Sequence, residues 1–191
     1  MLDPKFIIYT GPMYGSKTTK LLAMIDRFTR QKKNVIAFKP KIDDRYSENF
    51  IQSHNGGKFI AYPVSIGHEL FEELKRQEKE KNINYNVITV DEAFMIKDCA
   101  EVLINLFKEG YTIIVSSIQL DANFKPFEEI MKMMPYATQI DICPAVCPVT
   151  GNDAYYTMAK FDYKGVTVGG DVLYEPRSWS AFPILQTSKI N

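Results

Sequence analysis

A glycine-containing stretch between an apolar segment and an amphipathic one limits the folds that this chain can adopt. It runs from residue 11 to residue 18 with the sequence Gly-Pro-Met-Tyr-Gly-Ser-Lys-Thr. The apolar residues Phe6 to Tyr9 precede it and predict a buried strand, and a helical pattern follows it. A strand, a glycine-containing turn ending in Lys-Thr and then a helix are typical of a phosphate-binding loop. The stretch therefore predicts an α/β fold that binds a nucleotide.

The residue types of this loop suit phosphate chemistry. Backbone N–H groups would surround the phosphates, Lys17 would reach the β- and γ-phosphates, and Thr18 would ligate Mg²⁺. Ser16 departs from the usual pattern, because a glycine normally precedes the lysine. Glycine tolerates positive φ, so Ser16 strains the loop unless Gly15 absorbs that torsion. The loop residues predicted to bind the nucleotide are Gly11, Pro12, Met13, Tyr14, Gly15, Ser16, Lys17 and Thr18.

Apolar periodicity continues the α/β pattern beyond the loop. The first helix carries Leu21, Leu22, Ile25 and Phe28 on one stripe. Strands are predicted at 34–38, 59–64, 85–90 and 111–115, and further helices at 66–81, 99–107 and 126–134. Strands that alternate with helices predict a parallel sheet with flanking helices, and ligands bind at the carboxyl edge of such a sheet.

Two acids, Asp91 and Glu92, follow the apolar run that ends at Val90. A phosphoryl-transfer site needs one carboxylate to hold Mg²⁺ and another to take a proton from the attacking group. The alternative is that both acids simply stabilise a helix N-terminus through its dipole. Because a phosphate loop is also present, we favour the catalytic interpretation, with Asp91 among the nucleotide-binding residues.

Composition limits the remaining possibilities. Lys plus Arg and Asp plus Glu are equal at 23 each in 191 residues, so no overall field attracts nucleic acid or an anionic membrane. The three cysteines and the lack of a signal-like apolar leader predict a reduced, cytoplasmic protein.

The sequence predicts two domains. The first domain, 1–140, would be the nucleotide-binding α/β unit. Short strand and turn patterns predict a small β-rich lobe at 141–191.

Ten short segments occur in the order and at the spacing found in one enzyme family. Two of them are Asp43-Asp44-Arg45-Tyr46-Ser47 and Val90-Asp91-Glu92-Ala93. The others lie at 11–14, 38–40, 53–56, 125–127, 145–147, 154–157, 169–170 and 174–177. Along nearly all its length the chain therefore resembles the type II thymidine kinases.

This resemblance implies that the γ-phosphate of ATP is transferred to the 5′-hydroxyl of thymidine. It places the general base at Glu92, with Arg45 and Lys17 as further catalytic residues. Thr18, Asp91 and Asp43 would stand at Mg²⁺. It also implies a cytosolic homotetramer. A phage origin, with the enzyme in the host cytoplasm, would fit the family positions at which this chain holds other residues.

The resemblance also implies how the nucleoside base is held. In the family a loop of the small lobe, called the lasso, encloses the base, mainly through backbone groups. The matching positions here are Thr157, Val168, Gly169, Gly170 and Tyr174, and the apolar walls are Met13, Met95 and Phe127.

Several family positions hold other residues in this chain. The four zinc-ligand positions carry Cys147, Thr150, Ser178 and Ala181, so we expect no zinc, since a structural zinc needs four suitable donors. Phe94 replaces a glutamine, Gln119 replaces an acid and Ala122 replaces a phenylalanine. Ser16, Phe94 and Ala122 favour a second hypothesis, a turnover-deficient nucleotide-binding regulator on the same fold. A P-loop ATPase acting on nucleic acid is disfavoured by the zero net charge.

Overall fold

The computed structural model describes residues 3–43, 49–53, 56–161 and 170–182, with no side-chain description at 170–171. The strands are β1 (Phe6–Thr10), β2 (Val35–Pro40), β3 (Phe50–Gln52), β4 (Lys58–Ile60), β5 (Tyr62–Val64), β6 (Val87–Val90), β7 (Thr112–Ser116), β8 (Gln139–Ile142), β9 (Ala145–Val146), β10 (Asp153–Ala154), β11 (Tyr156–Ala159) and β12 (Tyr174–Arg177). The helices are α1 (Lys17–Arg30), α2 (Gly67–Lys81), α3 (Cys99–Lys108), α4 (Glu128–Met133) and α5 (Gly170–Leu173). Short 3-10 turns lie at Ala93–Met95, Met134–Tyr136 and Trp179–Ala181.

Six of the strands form one sheet in the order β5-β2-β6-β7-β1-β8. Every neighbouring pair in this sheet is parallel. The carboxyl ends of all six strands therefore lie along one edge. Three two-stranded antiparallel pairs accompany this sheet: β3 with β4, β9 with β10, and β11 with β12.

Helices cover both faces of the parallel sheet. On one face, Leu21 and Ile25 of α1 pack in a cluster with Ile7, Tyr9 and Ala37. On the other face, apolar residues of α2, α3 and α4 pack against alternate residues of the same strands, among them Phe6, Ile8, Phe38, Val90 and Val115. Because successive strand residues point to opposite faces, strands buried on both sides need the nearly continuous apolar runs that this sequence has.

The predicted fold class, a parallel sheet with flanking helices and a β-rich C-terminal part, is confirmed. One strand prediction was wrong, because residues 59–64 divide between two strands in different sheets. Lys58–Ile60 pairs antiparallel with β3, whereas Tyr62–Val64 pairs parallel with β2. Between them, the N–H of Ala61 donates to the carbonyl of Asn49 at 3.0 Å. Residues on both sides of this break favour strands, so propensity alone did not reveal it.

The C-terminal part is joined to the sheet through aromatic contacts. Phe124, from the segment after β7, packs on Phe182 with 4.9 Å between ring centroids, and Tyr156 packs on Trp179 at 5.2 Å. Phe182 is buried, whereas Trp179 is half exposed. We call Phe124, Tyr156, Trp179 and Phe182 the aromatic cluster. The proposed domain division at residue 140 stays a prediction, and β8, at 139–142, pairs with β1 in the main sheet.

Among the described residues, no helix combines the length and the apolar character that crossing a membrane requires.

Candidate functional site

A cleft opens at the carboxyl edge of the parallel sheet. It is lined by residues 13–19 of the loop and of the first turn of α1, by 50–53, and by Lys39, Asp43, Asp91 and Glu92. The side chains of Lys17, Lys39, Asp43 and Asp91 are each at most 8% exposed. Charged groups that are this buried rarely occur unless they are paired or bind a ligand. The cleft therefore has the character of a binding site for a charged molecule.

The two glycines of the loop lie against the backbone that follows β8. A Cβ atom added to either Gly11 or Gly15 would lie 2.2 Å from the carbonyl oxygen of Cys143. Only glycine fits at so close an approach to another backbone. Gly15 is therefore required for space, and its φ is not in the left-handed region, so it does not absorb the torsion in place of Ser16.

Ser16 takes that torsion itself. Its φ is 60° and its ψ is 20°, which is left-handed backbone, and Tyr14 also has a positive φ of 63°. A residue with a Cβ pays about 1–2 kcal/mol in this conformation. The loop thus stores strain at Ser16, next to the lysine that it presents.

Lys17 and the start of α1 form the anion-binding end of the cleft. The Lys17 ammonium donates to the carbonyl oxygen of Pro12 at 2.7 Å, which holds it within the loop. Helix α1 has no acidic residue in its first turn, and Ser16 makes no side-chain capping hydrogen bond. Backbone N–H groups at a helix N-terminus favour phosphate. This geometry fits the sequence prediction for the loop.

Asp91 joins the start of α1 to the sheet. The Thr18 hydroxyl lies 3.2 and 3.3 Å from the two carboxylate oxygens of Asp91, and the Ser116 hydroxyl donates to Oδ1 at 2.6 Å. The backbone N–H of Asp91 donates to the carbonyl of Phe38 at 3.0 Å. The predicted pair of magnesium ligands, Thr18 and Asp91, is therefore brought together.

The electrostatic environment of Asp91 favours a bound cation. The pKa of the Asp91 carboxyl is raised to about 7, chiefly by burial and then by the neighbouring carboxylates of Glu92 and Asp43, while Ser116 and Lys17 act in the opposite direction. Among the described residues, no group of three His, Cys, Asp or Glu side chains surrounds a metal position. Mg²⁺ usually binds through one or two protein oxygens, phosphate oxygens and water, so Thr18 and Asp91 fit this donor set.

Glu92 lies beside Asp91 and lines the same cleft. Its backbone is left-handed, with φ 49° and ψ 45°, where it begins the 3-10 turn Ala93–Met95. Left-handed residues other than glycine cost about 1–3 kcal/mol and concentrate at functional sites. The sharp turn directs the chain away from the sheet directly after the two acids.

The predicted contacts to the nucleoside are only partly brought to this cleft. Within the described residues, Met13 lines it, whereas Met95 lies in the 3-10 turn and Phe127 packs on Phe94 with 4.5 Å between ring centroids. Thr157 and Tyr174 lie on the β11–β12 pair, and Gly170 begins α5. Arg45, Val168 and Gly169 lie outside the described residues.

Three residues at the site were not given roles from the sequence. Ser116 hydrogen-bonds Asp91, Lys39 lines the cleft, and Gln119 accepts a 2.6 Å hydrogen bond from the Thr10 hydroxyl directly before the loop. The Gln119 amide also donates to the carbonyl of Tyr155, at 3.5 Å. The sequence carried a signal for two of them, since Ser116 ends β7 and Lys39 is the last residue but one of β2, both at the ligand-binding edge.

The positions that correspond to zinc ligands converge without forming a four-donor site. The hydroxyls of Thr150 and Ser178 lie 3.0 Å apart, and Cys147 and Ala181 share a small buried cluster. Burial raises the pKa of the Cys147 thiol, but hydrogen bonds from Ser178 and Thr150 outweigh this and lower it to about 6. Hydrogen bonds thus join the two segments here.

A parallel sheet with a phosphate loop, a buried lysine and two acids at its carboxyl edge defines a P-loop nucleotide-binding protein. Comparison with protein families refines this class, because the model for the family described as thymidine kinase matches residues 5–181. The chain belongs to the thymidine kinase family. It is therefore an enzyme, a kinase of nucleotide salvage.

Replacing Ser16 with glycine tests the loop geometry. We expect Ser16→Gly to stabilise the protein by roughly 0.5–1 kcal/mol, because the relief of left-handed strain exceeds the entropy cost of a glycine. ATP affinity should be kept or raised. Urea unfolding and equilibrium ATP binding measure these two effects.

Gly15→Ala is the matched control, because its Cβ would meet the Cys143 carbonyl. This variant should lose about 1–3 kcal/mol and bind ATP more weakly. A large loss of ATP affinity in Ser16→Gly would contradict the strain argument and would show that the Gly-Ser order is needed.

Proposed function

We propose that the enzyme transfers the γ-phosphate of ATP to the 5′-hydroxyl of thymidine, giving dTMP and ADP. The main support for this proposal is that Thr18 contacts Asp91 at the start of α1, with Lys17 and Glu92 in the same cleft. These are the groups that a phosphoryl transfer needs: phosphate donors, magnesium ligands and a base. Membership of the thymidine kinase family supports the choice of acceptor.

The phosphates would lie over the N-terminus of α1, where loop N–H groups and the Lys17 ammonium neutralise their charge. Thr18 and Asp91 would hold Mg²⁺, with Asp43 nearby in the cleft. When bound, Mg²⁺ supplies charge neutralisation at the β- and γ-phosphates. We propose that Arg45 contributes a further positive charge.

Glu92 would take the proton from the 5′-hydroxyl as the bond to phosphorus forms. Its place next to Asp91 supports this role, because the base must face the acceptor oxygen while the magnesium ligand faces the phosphate. Glu92 has left-handed backbone, with φ 49° and ψ 45°, directly after Asp91, and both residues line the cleft. Phosphoryl transfer depends mainly on such positioning.

The nucleoside would bind between the loop and the small lobe. Met13, Met95 and Phe127 are proposed as apolar walls, and Phe94 supports Phe127 by ring packing. The backbone of the lobe would hold the pyrimidine through Thr157, Val168, Gly169, Gly170 and Tyr174. Through its bonds to Thr10 and Tyr155, Gln119 connects the loop to this lobe.

A second candidate is a regulator that binds nucleotide without turnover. The strained Ser16 and the aromatic Phe94 favour it. The presence of both Asp91 and Glu92 in the cleft argues against it, because a protein that only binds nucleotide needs no base. We therefore keep the active kinase as the conclusion. We further propose that the enzyme is a cytoplasmic homotetramer.

A product assay tests the reaction directly. Purified enzyme with Mg-ATP should form a monophosphate from thymidine, and more slowly or not at all from deoxyuridine, deoxycytidine and deoxyadenosine. Faster product formation from another nucleoside would overturn the proposed substrate. Absence of product from all four, in a protein that still binds ATP, would favour the regulator.

We also propose that the small lobe is held by the aromatic cluster and not by zinc. EDTA should leave the melting temperature unchanged, because a metal-dependent lobe would unfold when its metal is removed. Phe182→Ala should cost about 3–5 kcal/mol, as expected for a buried phenylalanine, and the half-exposed Trp179→Ala should cost less. Stoichiometric zinc in metal analysis, or EDTA sensitivity, would contradict the proposal.

A further inference from the structure

Lys39 is a lysine that the proposed mechanism does not yet use. It is 4% exposed, and it lines the cleft near the end of β2. Burying an ammonium group costs several kcal/mol unless opposite charges compensate. Packing alone does not account for a lysine at this strand position, since a buried apolar residue would be more stable there.

Strand pairing places Lys39 next to Asp91. Phe38 of β2 pairs with Val90 of β6, so the next residues along, Lys39 and Asp91, are neighbours across the two strands. The hydrogen bond from the Asp91 N–H to the Phe38 carbonyl continues this register. In the same way, Val90 pairs with Val115, which puts Ser116 on the other side of Asp91.

The three side chains also share one face of the sheet. Phe38, Val90 and Val115 belong to the cluster that α2 and α3 cover. Because strand residues alternate between faces, the residues that follow them point toward the face that α1 covers. Lys39, Asp91 and Ser116 thus form a row on the phosphate-loop side, and Thr18 of α1 contacts the middle of that row.

Among the described residues of the cleft, carboxylates outnumber ammonium groups, so a second lysine there would help to neutralise the charge of a bound phosphate. The carboxylates are those of Asp43, Asp91 and Glu92, and the ammonium groups are those of Lys17 and Lys39. A polyphosphate adds further negative charge at the same place. Lysine is a compact point charge that binds phosphate oxygens without a fixed orientation. Lys17 serves the loop side of Asp91, and Lys39 lies on its other side.

We propose that Lys39 is a second phosphate-binding lysine, which contacts the terminal phosphoryl group of ATP from the side of Asp91 opposite the loop. This inference rests on the proposed function, because it uses the same cleft and the same nucleotide. It assigns to Lys39 the γ-phosphate in particular. The loop N–H groups and Lys17 would also contact the β-phosphate, which ATP and ADP share, so they would support the binding of both nucleotides.

Comparing ATP with ADP isolates this role. Lys39→Met should weaken equilibrium binding of Mg-ATP about tenfold or more, which corresponds to about 1.4 kcal/mol. Binding of Mg-ADP should change less than about threefold, because ADP lacks the group that Lys39 contacts. Lys39→Gln should behave like the methionine variant, and Lys39→Arg should recover most of the ATP affinity, since only it restores the charge.

Lys41→Met is the matched control, because Lys41 is exposed near the same strand end and lies outside the described cleft lining. It should leave both affinities unchanged. Equal losses for ATP and ADP in Lys39→Gln and Lys39→Met, or no loss for either, would overturn the proposal and leave Lys39 as a structural partner of the acids. The measurement needs no nucleoside, so failure to phosphorylate thymidine would refute the proposed function separately.

Discussion

The buried carboxylate of Asp91 is the point at which the sheet, helix α1 and the proposed chemistry meet. It accepts a 2.6 Å hydrogen bond from Ser116 and contacts the hydroxyl of Thr18. Burial first, and then the neighbouring Glu92 and Asp43, raise the pKa of this carboxyl to about 7, so the ionised form is costly in the protein alone. A bound cation would remove that cost. The contact between Thr18 and Asp91 therefore joins α1 to the sheet at the position proposed for Mg²⁺.

The phosphate loop shows how two different constraints can be divided between neighbouring residues. Gly15 is needed because its Cα lies against the Cys143 carbonyl, and Gly11 meets the same oxygen. The left-handed torsion belongs to Ser16 instead. In this chain the close approach and the positive φ are therefore separate requirements. Gly15 allows the close approach to the Cys143 carbonyl, and Ser16 adopts the positive φ with some backbone strain.

Much of the fold could be predicted from the sequence, because apolar periodicity reports which residues are buried. The strand before the loop and the helices beginning near residues 17, 67 and 99 follow from that pattern. The loop, Asp91 and Glu92 were predicted from residue type and order, and they do meet in one cleft. The role of each residue there remains a prediction.

The remaining features depend on tertiary structure that local patterns do not contain. The row of Lys39, Asp91 and Ser116 exists only because three strands pair in one register. The break at Ala61 lies between Ile60 and Tyr62, two residues that both favour strands. Gln119 resembles an ordinary polar loop residue until its bonds to Thr10 and Tyr155 are known. Sequence patterns could not predict these contacts, since each one joins residues that are distant in the chain.

In the proposed reaction Glu92 accepts the proton of the attacking hydroxyl beside a magnesium site built on Asp91. The decisive experiment is single-turnover transfer of the γ-phosphate by Glu92→Gln, with thymidine affinity measured alongside. We expect a rate lower by about 10²–10⁴-fold, the usual contribution of a general base, with thymidine binding largely kept. A near-normal rate would show that Glu92 is not the base.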